Sequence, residues 1–501
     1  MPRLFVFAIG GTGSRVLKSL TMLLASGVKP KSDKQYEIVP IIIDPHKSND
    51  DLIRTIELLK NYQNIKKEIQ TDSGFFSVSI STLDKLISSK NSASESFTYN
   101  LQQVSNTKFS DYIDYNQLPP ESKALTDILF SGSSINKRGE TVDLLDIEMD
   151  IGFVGNPNIG SVVLNQFKDS KEFIEFANNF NLDDRIFIIS SIFGGTGAAG
   201  FPTVLKNIRD AINNQTIAKK GYLQDAKIGA LSVLPYFNIE TKENSPIKIS
   251  EFITKTKAAL YYYKDNVTGN DSVNAMYYIG DSYVGKSYVN DPGDNGQKND
   301  AHFIELVSAL SIIDFLEIPD YNLESISGKA TKAIYREFAI KNDVNNVTFA
   351  DLDDDTERKI SLHLSQLFLF RKYLREHLDD ALEAEAWTND EPLINNHFVR
   401  DQFYHSHLSE FLEGFNIWLT EMSNNQRGFS PFNLDSTFDS MIIGRKVEKK
   451  FFSSKFDKSL FNDTLSKISK DQTYHSASHK LLQLFYDATN ELLTSKYGFK
   501  K

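Results

Sequence analysis

Two stretches constrain this chain more than any others. Gly10-Gly11-Thr12-Gly13-Ser14 and Phe193-Gly194-Gly195-Thr196-Gly197-Ala198-Ala199-Gly200 each follow an apolar run and open a helical pattern. Missing side chains let backbone N–H groups approach an anion at a helix N-terminus, where the positive end of the dipole favours it. One such loop could be a structural tight turn or the start of a dinucleotide fingerprint, whose third glycine position holds Val16 here. Two can converge on one triphosphate if both lie at the carboxyl ends of sheet strands. Neither contains GxxxxGK[ST], which excludes an ordinary P-loop.

The flanking pattern predicts an α/β domain. Short apolar runs at Leu4 to Ile9, Ile38 to Ile43, Arg185 to Ser191, Lys227 to Leu234 and Ala275 to Ile279 read as strands. Helical patterns at Arg15 to Ala25, Asp50 to Leu59 and Ala198 to Asn213 alternate with them, which implies a parallel sheet covered on both faces. Residues 62–147 break that rhythm and read as an elaborated insertion, with surface loop at 88–96. An apolar helix spans about 299–320, and amphipathic helices dominate 321–501, with a candidate strand at Lys332 to Ile340. The expected units are therefore a nucleotide-binding domain over 1–298, a long central helix, and a helix-rich C-terminal domain.

At 501 residues the chain is long enough for two or three domains. Its net charge of -11 opposes direct nucleic-acid binding. The absence of cysteine excludes disulfides and thiol chemistry and fits a cytoplasmic setting. No apolar run reaches the roughly 20 residues of a membrane helix, and the N-terminus does not read as a signal peptide, so no membrane insertion is expected. The nine histidines show no metal-ligand spacing, and no protein-built metal site is expected.

The segment GGTGAAG after the strand IFIISSIF resembles the signature loop of the tubulin/FtsZ superfamily, and AIGGTGSRVL resembles its first glycine loop. That resemblance covers residues 3 to 325 and implies a Rossmann-like GTPase domain with GTP or GDP as its nucleotide and Mg²⁺ bound through the phosphates. IIIDPH then resembles the loop after the second strand, placing Asp44 near the phosphates, while GFVGNPNIG resembles the third loop, with Gly155, Asn156 and Pro157 near the γ-phosphate. LSVLPYFNIE resembles the segment ending in a ribose-contacting glutamate, here Glu240, although the basic residue expected four positions later is Asn244. Gln297-Lys298-Asn299-Asp300 resembles the base-recognition segment, with Asp300 accepting from the guanine edge; the competing reading is an acidic helix cap.

In that family an acidic loop beyond the central helix acts on nucleotide held by the neighbouring subunit, so the resemblance implies head-to-tail self-assembly. Here the segment is Pro319-Asp320-Tyr321-Asn322-Leu323-Glu324, with Ser327 where a second acid is expected. Glu324 and Asp320 are the candidate catalytic acids, and Asp351 in NVTFADL competes, with Thr348 replacing the other acid of that segment. For each acid the plain alternative is exposed loop charge. His46 reads as a solvated loop histidine, and Trp387 and Trp418 as packing residues. The leading expectation is a self-assembling GTPase whose C-terminal helices offer an adaptor surface. The alternatives are a non-hydrolysing structural protein stabilised by nucleotide and, last, a dinucleotide-dependent oxidoreductase.

Overall fold

A computed structural model describes residues 1–86, 96–136, 138, 140–153, 155–240, 249–281, 287–289, 299–338, 344–447 and 455–499. Its centre is a six-stranded parallel sheet: β1 (Arg3–Ile9), β2 (Glu37–Ile43), β3 (Arg185–Ser191), β4 (Lys227–Val233), β5 (Ala275–Ile279) and β6 (Ile334–Arg336), in the order β6-β5-β4-β3-β1-β2. β1 and β3 are buried along their whole length, as expected where helices cover both faces. The crossovers relevant here use α1 (Gly10–Ala25), α2 (Asp50–Ile69), α3 (Pro157–Leu164), α4 (Lys171–Asn179), α5 (Thr196–Arg209), α6 (Ile249–Tyr263) and α7 (Phe303–Glu317).

β2 contains Pro40, which cannot donate to a ladder. Its neighbours Ile38 and Ile42 donate outward, to Ser79 O at 2.9 Å and Phe97 O at 2.8 Å. The missing N–H falls between these bonds, so two short segments, at 79–81 and 97–99, cover the outer edge of β2 in place of one continuous strand. α5 carries Pro202 in its interior, which deprives the Ala198 carbonyl of its helical donor. The Tyr263 hydroxyl donates to that carbonyl at 3.2 Å instead and fastens α6 to the second glycine loop.

Several expectations need correction. α2 runs on to Ile69, burying Tyr62, Ile65 and Ile69, so the elaboration starts after the helix and not at 62. The sheet does not end near residue 320: β6 comes from beyond α7 and pairs in parallel with β5, Ile334 opposite Ala275. Beyond it, α8 (Asp354–Ala384), α9 (Ser409–Ser423), α10 (Lys458–Asp471) and α11 (Ala477–Tyr497) form the helical part. This part shares one core with the sheet: Phe411 packs on Tyr62 and Phe76, and the buried Trp418 donates to Ser19 Oγ of α1 at 3.1 Å. Among the described residues no helix is long and apolar enough to cross a membrane.

Candidate functional site

The strand order reverses direction at β1 and β3, and open α/β sheets bind ligands outside the carboxyl ends of the strands at such a point. Both glycine loops sit there. Gly10 has φ +70°, and a Cβ built on it would lie 3.5 Å from Thr196 Cβ and 3.6 Å from Gly197 N, so the two loops touch. Gly194 has φ +87° and open space where a Cβ would be. Gly13 and Gly197 serve packing: a Cβ on either would come within 2.6 Å of β1 or β3 atoms, Ala8 C and Ser191 Oγ respectively. The third expected segment joins them, since a Cβ on Gly195 would meet Phe153 at 2.8 Å and Asn156 N at 3.2 Å.

Three helices therefore start around one cleft: α1, α3 and α5. None of them has a side-chain cap or an acidic residue in its first turn. Four of the longer helices elsewhere carry a side-chain cap: Ser170 caps α4, Asp353 caps α8 with Asp354, Asp355 and Glu357 following, and Asp457 and Ser476 cap α10 and α11. Uncapped first-turn N–H groups with a positive dipole end form an anion seat. Ser14 adds a buried hydroxyl with no hydrogen-bond partner among the described residues. α6 brings a positive charge to the third loop, where Lys255 Nζ donates to Gly155 O at 3.0 Å.

Asp44 stands at the carboxyl end of β2, buried, and accepts from His46 N at 3.0 Å. Burial pushes its pKa up to about 7, against the opposing pull of the His46 N–H and Arg15. His46 is itself buried, which corrects the solvated-loop reading. Thr12 is buried and its Oγ1 lies 3.3 Å from Arg15 Nη2.

Arg15 was not among the expected site residues, yet it organises the floor beside the first loop. Its guanidinium donates to Glu305 at 2.7 Å, Asp51 at 2.9 Å and the Tyr236 hydroxyl at 2.9 Å, and Tyr236 donates to Glu305 at 2.7 Å. Burial opposes its charge, while Tyr236, Glu305 and Asp51 hold its pKa raised. Asn299 joins the same floor: its N–H points to Asp51 at 3.4 Å, and its carbonyl accepts from Arg54 at 3.2 Å. Asp300 is half-buried and lies outside α7. The cap of that helix is His302, in a reciprocal box with Glu305, which sets aside the reading of Asp300 as its cap. Glu240 lies in the short strand Asn238–Glu240, its side chain outside the described residues, and Asn244, Gln297 and Lys298 are also outside them.

The candidate catalytic acids are not in this cleft. Asp320 is at the amino ends of the strands, paired with Arg185 at 2.8 Å and Lys227 at 3.1 Å, the first residues of β3 and β4, and with Lys34 at 2.8 Å. These cations outweigh burial and hold its carboxyl well below the usual range. Glu324 is exposed beside a tight hairpin, Ser325–Ile326 against Lys329–Ala330, whose two central residues, Ser327 and Gly328, have φ +53° and +79°. That geometry suits a two-residue hairpin turn. Asp351 accepts from Thr348 N at 2.8 Å and Thr348 Oγ1 at 2.7 Å, closing a capping box in the helical part.

These features define an α/β chain in which two glycine loops and three helix starts meet at the switch point of a parallel sheet. No family model matches the chain and no curated protein matches it.

Proposed function

We propose that this is a tubulin-like, guanine-nucleotide-binding protein that assembles head to tail, with GTP hydrolysis completed where subunits meet. The observation that carries the reading is the convergence of three uncapped, acid-free helix starts on two touching glycine loops. They would take the phosphates through Gly10 to Ser14, Gly155 to Pro157 and Gly194 to Ala198, with Lys255 supplying positive charge. Among the described residues no cluster of three histidine or acidic side chains could hold a metal. A Mg²⁺ would be held through the phosphate oxygens, with Asp44 at the end of β2 to balance its charge. Asn299 and Asp300 would meet the base, and Glu240 the ribose. Asp320 and Glu324 lie at the opposite sheet end, where a head-to-tail neighbour would present them to the nucleotide.

A second reading, nucleotide binding without turnover, draws support from the acids themselves. Asp320 is occupied by three cations and Asp351 by a capping box, so neither is poised as a general base. The dinucleotide reading lacks the third glycine and leaves the second glycine loop unused. Phosphate release from GTP, with ATP as control, measured per subunit over a range of protein concentration, separates the readings. GTP-specific turnover that rises above a threshold concentration supports the shared site. Bound GDP or GTP with zero turnover supports the second reading, and bound NAD(H) overturns both.

A further inference from the structure

Asn299-Asp300-Ala301 belongs to no helix or strand, so its backbone groups need partners from elsewhere. Side chains supply them on both sides of Asp300. From α2, Arg54 donates to Asn299 O at 3.2 Å and Asp51 faces Asn299 N at 3.4 Å. From the helical part, Glu421 near the end of α9 accepts from Ala301 N at 2.9 Å, and Asn425 just beyond it donates to Ala301 O at 2.6 Å. Asp300 is thus carried between two clamps, one from the sheet side and one from the helical part.

Glu421 ties the two clamps together. It is buried; one carboxylate oxygen accepts from Arg54 at 2.7 Å, and the other, on Ala301 N, also accepts from Lys18 of α1 at 3.3 Å. Burial alone would raise its pKa, yet Lys18, Arg54 and the Ala301 N–H hold it below the ordinary value, so the carboxylate stays charged. Arg54 also donates to Asp51 at 2.6 Å, and Asp51 accepts from Arg15 beside the first glycine loop. Desolvation offsets much of the attraction in a buried ion pair, so stability alone is a weak reason for keeping this one. What it holds is the segment that carries Asp300. We infer that Glu421 and Asn425 are positioning residues for that segment, so that the helical part sets how well Asp300 meets a guanine edge. This role rests on the nucleotide reading above and assigns base selectivity to the end of α9.

The test is isothermal titration of the full chain with GDP and with inosine diphosphate, which lacks only the guanine 2-amino group. The parent chain should prefer GDP about 10-fold, because inosine diphosphate leaves Asp300 one donor short. Glu421→Gln and Asn425→Ala should each weaken GDP about 5-fold and leave inosine diphosphate nearly unchanged, bringing the preference down to about 2-fold. A merely structural role would weaken both ligands by the same factor and keep the preference. Asn425→Ala removes no charge, so it decides the matter if Glu421→Gln does not fold. A preference unchanged in the folded variants overturns the positioning role and leaves the nucleotide reading standing. A parent chain that binds neither ligand overturns the nucleotide reading and the positioning role with it, and equal binding of the two by the parent takes Asp300 away from the base and overturns the positioning role as well.

Discussion

The two ends of the sheet treat charge in opposite ways. At the amino end, Arg185, Lys227 and Lys34 converge on Asp320, and Arg3 pairs with Asp184 at 2.6 Å, so each of these charges is answered within the fold. At the carboxyl end, three helix starts have no cap, a serine hydroxyl is unpaired, and Asp44 is buried with its pKa pushed up to about 7. The amino end answers its charges internally, and the helix starts that meet at the carboxyl end leave positive dipole ends open, which marks the carboxyl end as the place for an anion. Satisfied polar groups stabilise, whereas unsatisfied ones are kept at a cost that a ligand can offset.

The largest test of that contrast is steric. Gly197→Ala would put a Cβ 2.6 Å from Ser191 Oγ and 2.8 Å from Ser191 O, forcing α5 away from β3. Overpacking of this kind costs about 1–3 kcal/mol or more, and if the cleft holds a nucleotide as proposed, the displaced helix start should also lose it. Chemical denaturation and nucleotide content of the purified variant check both. Retained nucleotide in a destabilised variant would break the link between α5 placement and the cleft.

Next in size is the opposite pH response of the two ends. Asp44 is a carboxyl whose folded pKa is raised, so the folded state holds its proton while the unfolded chain loses it above about pH 4. Its contribution to stability therefore falls as pH rises from about 4 to about 7, and then stays level. Asp320 has its folded pKa depressed, so its contribution is present above about pH 4 and is lost as pH falls through the folded value. At pH 8, Asp44→Asn should raise stability by about 1–3 kcal/mol. Asp320→Asn should lower it by about 1–2 kcal/mol, a figure reduced for its partial exposure. Denaturation of each variant against the parent chain, from about pH 4 to about pH 8 for Asp44→Asn and from about pH 5 down to about pH 2 for Asp320→Asn, reads the two slopes. Slopes of equal sign would dissolve the contrast.

The carboxyl edge was legible in the sequence because its determinants are local. A continuous apolar strand followed by glycines needs no distant partner to be recognised, and β3 and β5 fall where their apolar runs place them. The amino edge was not. Asp320 read as a candidate catalytic acid, with exposed loop charge as the alternative, because its partner Arg185 lies 135 residues earlier in the chain and nothing local records the pairing. Arg15 escaped for the same reason, since Glu305 is 290 residues away. β6 was assigned to the wrong unit because a three-residue strand shows no periodicity that could attach it to the sheet. α2 was cut short because its exposed face carries charges after Leu59, while Tyr62, Ile65 and Ile69 keep the buried stripe going underneath.

The smallest expected effect is the most selective. Ser14 is buried at the start of α1 and its hydroxyl has no partner among the described residues, so Ser14→Ala removes no hydrogen bond seen in the free fold and should alter stability by less than about 0.5 kcal/mol. If that hydroxyl donates to a phosphate, the same substitution loses a hydrogen bond to a charged group, about 1.5–2 kcal/mol or roughly 10-fold to 30-fold in affinity. Thr203→Ala on the far side of α5 is the control: its hydroxyl is already paired to Ala199 O at 2.8 Å, well inside the helix. It should leave affinity unchanged. Isothermal titration with GDP on both variants measures the difference. Equal affinities for Ser14→Ala and the parent chain would mean that the unpaired hydroxyl is a tolerated defect of packing, and the case for the cleft would then rest on the helix starts alone.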